Sequence, residues 1–213
     1  MSATRIKICG VTLPDDAARV AAAGVDFIGL NFWPKSKRYL ALERAPLIAG
    51  IARSNGTAKI VGVFVDADAS EILEVTQAVE LDAIQLHGDE YPEDLAAIGK
   101  ATKLPIWKAI PTGAPKDVEN LDQWRSEMIL LDTPSAGRGG AGRPFDWSLA
   151  KEARRRFPDQ QIMLAGGLDP ANVAAAISLV APFAVDVATG VETAPGVKDA
   201  AKVAAFVAAV RGA

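Results

Sequence analysis

Eight short apolar runs, spaced along the whole chain and separated by amphipathic Ala-rich segments, constrain this sequence more than any other feature. They are Ile6–Cys9, Phe27–Phe32, Lys59–Val65, Ala83–Leu86, Ile106–Ile110, Met128–Leu131, Ile162–Ala165 and Phe183–Val187. Each is strand-length and rich in Ile, Val, Leu or Phe, the pattern of strands buried on both faces. The intervening stretches Asp15–Ala23, Ser70–Ala78, Glu93–Ala101, Asn172–Leu179 and Asp199–Val210 read as helices. Pro14-Asp-Asp, Ser70 before Glu71, Pro92-Glu-Asp and Asp169-Pro-Ala-Asn place a cap or a proline ahead of a periodic segment. Pro105 and Pro182 fall at strand entrances, where a missing N–H is tolerated.

Eight βα units in 213 residues predict a closed α/β barrel of the (β/α)8 kind, one domain spanning residues 1–213, with short loops. The alternative is an open doubly wound sheet. Such sheets often carry G-x-G-x-x-G after the first strand, and Cys9-Gly-Val-Thr-Leu does not match it. The longest irregular stretch, Thr133–Phe145, contains Arg138-Gly-Gly-Ala-Gly142, and a loop of that length in a compact fold is more often functional than idle.

Composition narrows the function classes. A net charge of -3 argues against a broad nucleic-acid surface, which needs clustered positive charge. A single Cys cannot form an internal disulfide, so a secreted scaffold is not expected. No signal-peptide pattern opens the chain and no apolar run is long enough to span a membrane. The expected location is the cytoplasm, with no nucleic-acid or membrane partner, as a monomer or homodimer.

Reactive groups in such barrels gather at the carboxyl ends of the strands. There the sequence places Cys9, Asn31, His87, Lys108, Asp132, Gly166-Gly167, and Asp186 ahead of Thr189-Gly190. A lone Cys in an apolar strand is ordinarily a small core residue. Its place as the last strand residue, immediately before Gly10, suggests a base, provided a nearby positive group assists the thiolate. Asp132 either caps the next turn or is a partly desolvated acid, raised in pKa by apolar neighbours until it can donate near neutrality. His87, the only histidine, shares strand parity with Gln85 and reads as a hydrogen-bonded structural or substrate-contact group. One His and one Cys make a multi-ligand zinc site improbable. Gly166, Gly167 and Gly190 follow strands seven and eight, where backbone N–H groups commonly hold a phosphate. On the loop after strand two, Pro34-Lys-Ser-Lys-Arg38-Tyr overhangs the expected mouth, and Arg38 has the fork to grip a carboxylate.

Taken in order, these segments resemble phosphoribosylanthranilate isomerase of tryptophan biosynthesis. The resemblance rests on Lys7-Ile-Cys9-Gly10-Val-Thr12, Pro34-Lys-Ser-Lys-Arg38-Tyr, Val63-Phe64-Val65, Gln85-Leu-His87-Gly88 and Leu131-Asp132-Thr. It continues through Gly139-Gly-Ala-Gly142 with Phe145-Asp-Trp147, Gly166-Gly-Leu-Asp-Pro-Ala-Asn172, Asp186-Val-Ala-Thr-Gly190-Val-Glu192 and Pro195-Gly-Val-Lys-Asp199. The resemblance implies an Amadori rearrangement of N-(5-phosphoribosyl)anthranilate, with Cys9 as general base, Asp132 as general acid and Arg38 on the anthranilate carboxylate. Gln85, His87, Gly142, Gly166, Gly167, Asp186, Thr189 and Gly190 complete the expected substrate site. The chemistry needs neither metal nor organic cofactor. Thr189 stands where a Ser is common, and Ala141 where Thr or Ser is. A non-catalytic phosphosugar-binding barrel, or another phosphosugar isomerase or epimerase, is the alternative.

Overall fold

Residues 3–134 and 146–213 are described by the computed structural model. Its eight parallel strands are β1 (Arg5–Cys9), β2 (Phe27–Asn31), β3 (Lys59–Phe64), β4 (Ala83–Leu86), β5 (Ile106–Pro111), β6 (Met128–Asp132), β7 (Gln161–Leu164) and β8 (Ala184–Val187). They pair in sequence order, and β8 closes on β1 with Lys7 opposite Asp186. All eight apolar runs are therefore strands, and the closed ring excludes the open sheet.

Side chains alternate in and out along each strand, and the two sets build separate layers. The outward set, including Ile6, Ile8, Ile28, Leu30, Ile60, Ile84, Ile129, Leu131, Ile162 and Val185, packs under the helices in the larger core. The inward set fills the lower barrel with Phe27, Val61, Ala83, Trp107, Met128, Leu130 and Met163. Phe27 meets Trp107 edge-on at 5.0 Å, and the Arg5 guanidinium lies over the Phe27 and Phe183 rings at the amino-terminal end. That end is plugged, so ligands enter from the other.

Seven α-helices lie among the described residues: α1 (Pro14–Ala22), α2 (Ala45–Asn55), α3 (Ala69–Val79), α4 (Pro92–Thr102), α5 (Trp147–Arg156), α6 (Val173–Val180) and α7 (Ala200–Arg211). Five match the expected helices; α2 and α5 lie outside the expected set. The fifth unit departs from the repeat. Between β5 and β6 the chain forms two 3-10 turns, Pro115–Val118 and Leu121–Trp124, in place of an α-helix. Pro111, Gly113 and Pro115 interrupt propagation there. The start of α3 also differs from expectation. Asp68 rather than Ser70 is its cap, accepting from the Glu71 N–H at 2.8 Å.

After β8, a 3-10 turn (Thr189–Val191) leads into a small antiparallel pair, β9 (Glu192–Ala194) and β10 (Val197–Lys198). This hairpin returns two charged residues to the mouth of the barrel. No helix among the described residues is long and apolar enough to cross a membrane.

Candidate active site

A cavity of about 640 Å³ opens at the carboxyl end of the barrel and collects most of the expected residues. Cys9, Arg38, Gln85, His87, Asp132, Gly166, Gly167, Asp186, Thr189 and Gly190 all line it. Gly142 lies outside the described residues. Lys108 does not reach the cavity. It shares parity with Ile106 and Ile110, so it points outward, where its Nζ donates to Gly88 O at 2.7 Å and Glu90 Oε2 at 2.8 Å. Lys108 thus pins the loop after β4 and takes no part in the site.

Cys9 ends β1 on the inward side, facing Gly29 of β2, its pairing partner. A Cβ at position 29 would stand 2.8 Å from Cys9 Sγ, so the thiol occupies room that a larger residue would take. Burial pushes the thiol above its ordinary pKa, and the Lys7 ammonium beneath it pulls the other way. Lys7 is fully buried, and its Nζ donates to Asp186 Oδ1 at 3.1 Å. Burial alone would push that ammonium down; Asp186 and Cys9 outweigh it and hold it above its ordinary range. Asp186, expected to touch substrate, is thereby committed to Lys7 while still bordering the cavity.

Asp132 ends β6, again on the inward side. Its setting is more polar than the apolar surround expected from Met-Ile-Leu-Leu. Oδ1 accepts from the Thr133 N–H at 2.7 Å, and Oδ2 lies 3.3 Å from His87 Nε2. The apolar residues before it in sequence include Ile129 and Leu131, which face the helices instead. Gln85 Nε2 lies 3.1 Å from His87 Nδ1. An amide NH2 donating to Nδ1 leaves the ring proton on Nε2, the nitrogen nearer the Asp132 carboxylate. Gln85 therefore holds the His87 ring beside the proposed acid. Gln85 Oε1 is buried and meets no hydrogen-bond donor among the described residues.

Arg38 reaches the mouth from the loop after β2, its stem passing over Gly10. Gly10 has φ +72°, and a Cβ there would collide with the Arg38 methylenes, so the K-I-C-G glycine answers to both backbone and packing. The guanidinium is already gripped. Nε and Nη2 donate to the two carboxylate oxygens of Glu192 at 2.8 and 2.6 Å, and Nη2 also donates to Thr189 Oγ1 at 2.9 Å. Lys198 Nζ closes the cluster, donating to Glu192 Oε1 at 2.7 Å and to Cys9 O at 2.6 Å. Burial alone would raise the Glu192 carboxyl, but Arg38 and Lys198 hold it below its ordinary range. Burial pushes the Lys198 ammonium down despite Glu192. Glu192, Lys198 and Lys7 are charged neighbours of the expected site residues to which the sequence alone assigns no role. Lys7 alone left a local signal, as a charged position between Ile6 and Ile8 in a short strand.

The loops after β7 and β8 form the remaining wall. Gly166 and Gly167 have φ +79° and +67°, a region open to glycine at little cost. The Asn172 side chain fixes this loop, accepting from the Asp169 N–H and donating to Gly167 O, both at 2.9 Å. Gly190 presses against the same loop: a Cβ on it would overlap the Leu168 carbonyl oxygen and lie 3.0 Å from Asp169 Cα. Two glycine-lined turns thus meet backbone to backbone, where N–H groups can approach an anion. Among the described residues, no three His, Cys, Asp or Glu side chains converge as a metal set would require.

A paired thiol and carboxyl group in one cavity, a guanidinium at its rim and a glycine cradle suit proton transfer on a small anionic substrate. Known proteins point the same way. The sequence profile of the family described as N-(5'-phosphoribosyl)anthranilate (PRA) isomerase matches residues 6–209. The enzyme of that name from Myxococcus xanthus is 44% identical over 212 residues, covering 97% of this chain and 96% of the relative. The crystal structure of phosphoribosyl anthranilate isomerase from Thermotoga maritima aligns with a TM-score of 0.90 at 40% identity, covering 99% of this chain and 100% of that one. Another structure of such an isomerase, in complex with reduced 1-(o-carboxyphenylamino)-1-deoxyribulose 5-phosphate, gives a TM-score of 0.86 at 39% identity, with the same coverage.

Proposed function

The chain belongs to the N-(5'-phosphoribosyl)anthranilate isomerase family, and from that premise we propose that Cys9 and Asp132 are the base and acid of its Amadori rearrangement. The reaction converts N-(5-phosphoribosyl)anthranilate to 1-(2-carboxyphenylamino)-1-deoxyribulose 5-phosphate, in tryptophan biosynthesis. The observation that carries the residue assignment is the cavity itself, lined by both Cys9 and Asp132 from strands well apart around the ring.

Protonated Asp132 gives its proton to the ribose ring oxygen as the bond from C1 to that oxygen breaks. The nitrogen lone pair moves in to form a C1=N iminium, and the ring oxygen leaves as a hydroxyl. The iminium acidifies the hydrogen on C2. The Cys9 thiolate removes it, and the electron pair of that C–H bond becomes the C1=C2 double bond of an enolamine. Loss of the C2 hydroxyl proton and protonation at C1 then give the ketone. Each positioned proton transfer contributes about 10²–10⁴ in rate. After ring opening the Asp132 carboxylate accepts from the Thr133 N–H already in place, with His87 Nε2 lying 3.3 Å away.

The phosphate is placed on the Gly166-Gly167 and Thr189-Gly190 turns, and the anthranilate carboxylate on Arg38. Because Nε and Nη2 already hold Glu192, the substrate carboxylate meets the Nη1 side of the fork. The direct test adds N-(5-phosphoribosyl)anthranilate to the purified chain and follows anthranilate-type fluorescence. The signal falls at a rate proportional to enzyme; a signal no faster than the buffer control would refute the reading.

A further inference from the structure

Lys7 has no access to solvent, and none of the contacts or proton transfers above employs it. It sits two residues before Cys9 on the inward face of β1, one layer lower in the barrel. β8 supplies its partner: Nζ donates to Asp186 Oδ1 at 3.1 Å, from the residue paired directly with Lys7 in the ladder. β2 supplies the space. A Cβ on Gly29 would lie 2.8 Å from Cys9 Sγ and 3.2 Å from Lys7 Nζ, so sulfur and ammonium border the same small gap.

A buried ammonium is costly unless paired and hydrogen-bonded. Lys7 has three N–H donors; Asp186 Oδ1 accepts one, and the Cys9 side chain also meets the ammonium. The sulfur above is the next acceptor it can use. We propose that Lys7 is a positioning residue for Cys9, an ammonium held in place by Asp186 that supports the sulfur as a thiolate. Lys7 and Asp186 form a see-saw under the base. The cation favours the ionised sulfur, while the carboxylate competes for the same cation and opposes it.

The other charged groups around the sulfur belong to the rim cluster. Lys198 donates to the Cys9 backbone carbonyl at 2.6 Å, and its charge is shared with Glu192. Arg38 is bound to Glu192 as well. From β2, Gly29 is paired with Cys9 and Asn31 lines the same cavity, and neither carries a charge. Among the groups facing the sulfur, burial pushes the thiol up most, Lys7 is the first to pull it down, and Asp186 pushes it up again. The catalytic meaning of this arrangement rests on Cys9 being the base; the ionisation of the thiol does not.

The test reads the thiol directly. Cys9 is the only cysteine in the chain, so iodoacetamide alkylation followed by intact-mass measurement across a pH series reports its thiolate fraction. Lys7→Met moves the alkylation midpoint up, and at neutral pH slows alkylation by roughly tenfold for each pH unit of that shift. Asp186→Asn, which frees the ammonium for the sulfur, moves the midpoint down. A salt bridge that merely stiffened the barrel would shift both variants in the same direction, through looser packing around the thiol. That result, or an unmoved midpoint in Asp186→Asn, overturns the proposal. If Lys7→Met does not fold, Asp186→Asn decides alone by the same criterion. Full turnover in Cys9→Ser would remove the base assignment and leave this titration intact, so the two failures are distinguishable.

Discussion

Gly190→Ala perturbs the proposed phosphate cradle by one methyl group, and its effect follows from local geometry. The new Cβ would overlap the Leu168 carbonyl oxygen and stand 3.0 Å from both Leu168 C and Asp169 Cα. These are backbone atoms in a loop that Asn172 holds by two hydrogen bonds, so no flexible side chain can give way. The turns after β7 and β8 must separate, which moves their N–H groups away from the phosphate. Loss of one charge-assisted amide contact to phosphate costs about 1.5–3 kcal/mol, which is roughly 10- to 150-fold in affinity. The phosphate is held equally before and after the chemical step, so the loss should appear in KM with kcat little changed. Fluorescence-monitored turnover over a range of substrate concentrations measures both constants. A urea melt establishes that the variant is folded, since overpacking itself costs about 1–3 kcal/mol of stability. A folded variant with KM within twofold of the parent would refute the cradle assignment.

Arg38→Ala should raise KM for the phosphoribosyl substrate by at least about tenfold through loss of a charge-assisted contact, and an unchanged KM would remove it from the carboxylate site. Glu192 is held below the ordinary carboxylate range by Arg38 and Lys198, so its contribution to stability is complete above the unfolded-state value of about 4.3 and is lost as pH falls through the lower folded value. Urea midpoints of the parent should therefore fall more steeply than those of Glu192→Gln on acidification below that point; parallel profiles would contradict the ion cluster. Gly50 lies exposed inside α2 with open space where a Cβ would go. Gly50→Ala should stabilise the chain by about 0.5–1 kcal/mol, read as a higher urea midpoint with unchanged turnover.

The strands were legible because a barrel strand is covered on both faces, so each announces itself as an apolar run. Helices were legible only where an apolar stripe faced the barrel. α5 buries Ala150 and Ala153 alone, and small residues between Lys, Glu and Arg leave little periodic signal. α2 begins at Ala45 with no side-chain cap, and its one start signal is Pro46 in the first turn. Site residues were legible as far as strand ends and parity carry. Cys9, Asp132, Gln85 and His87 obey the period of two, whereas applying that same period to Lys108 would have turned it outward. Arg38–Glu192 and Glu192–Lys198 could not be read in advance. The first joins residues 154 positions apart, and the second depends on the β9–β10 hairpin, too short to leave a pattern. The polar setting of Asp132 likewise arises across strands, from His87 two strands away.

The assignment of thiol and carboxyl to opposite proton transfers is tested most directly by single-turnover conversion of N-(5-phosphoribosyl)anthranilate in Cys9→Ser and Asp132→Asn. Each substitution nearly conserves volume, so folding should survive and the chemical step alone should slow, by about two to four decades in each variant. A folded variant of either kind that converts substrate at close to the parent rate would contradict the account.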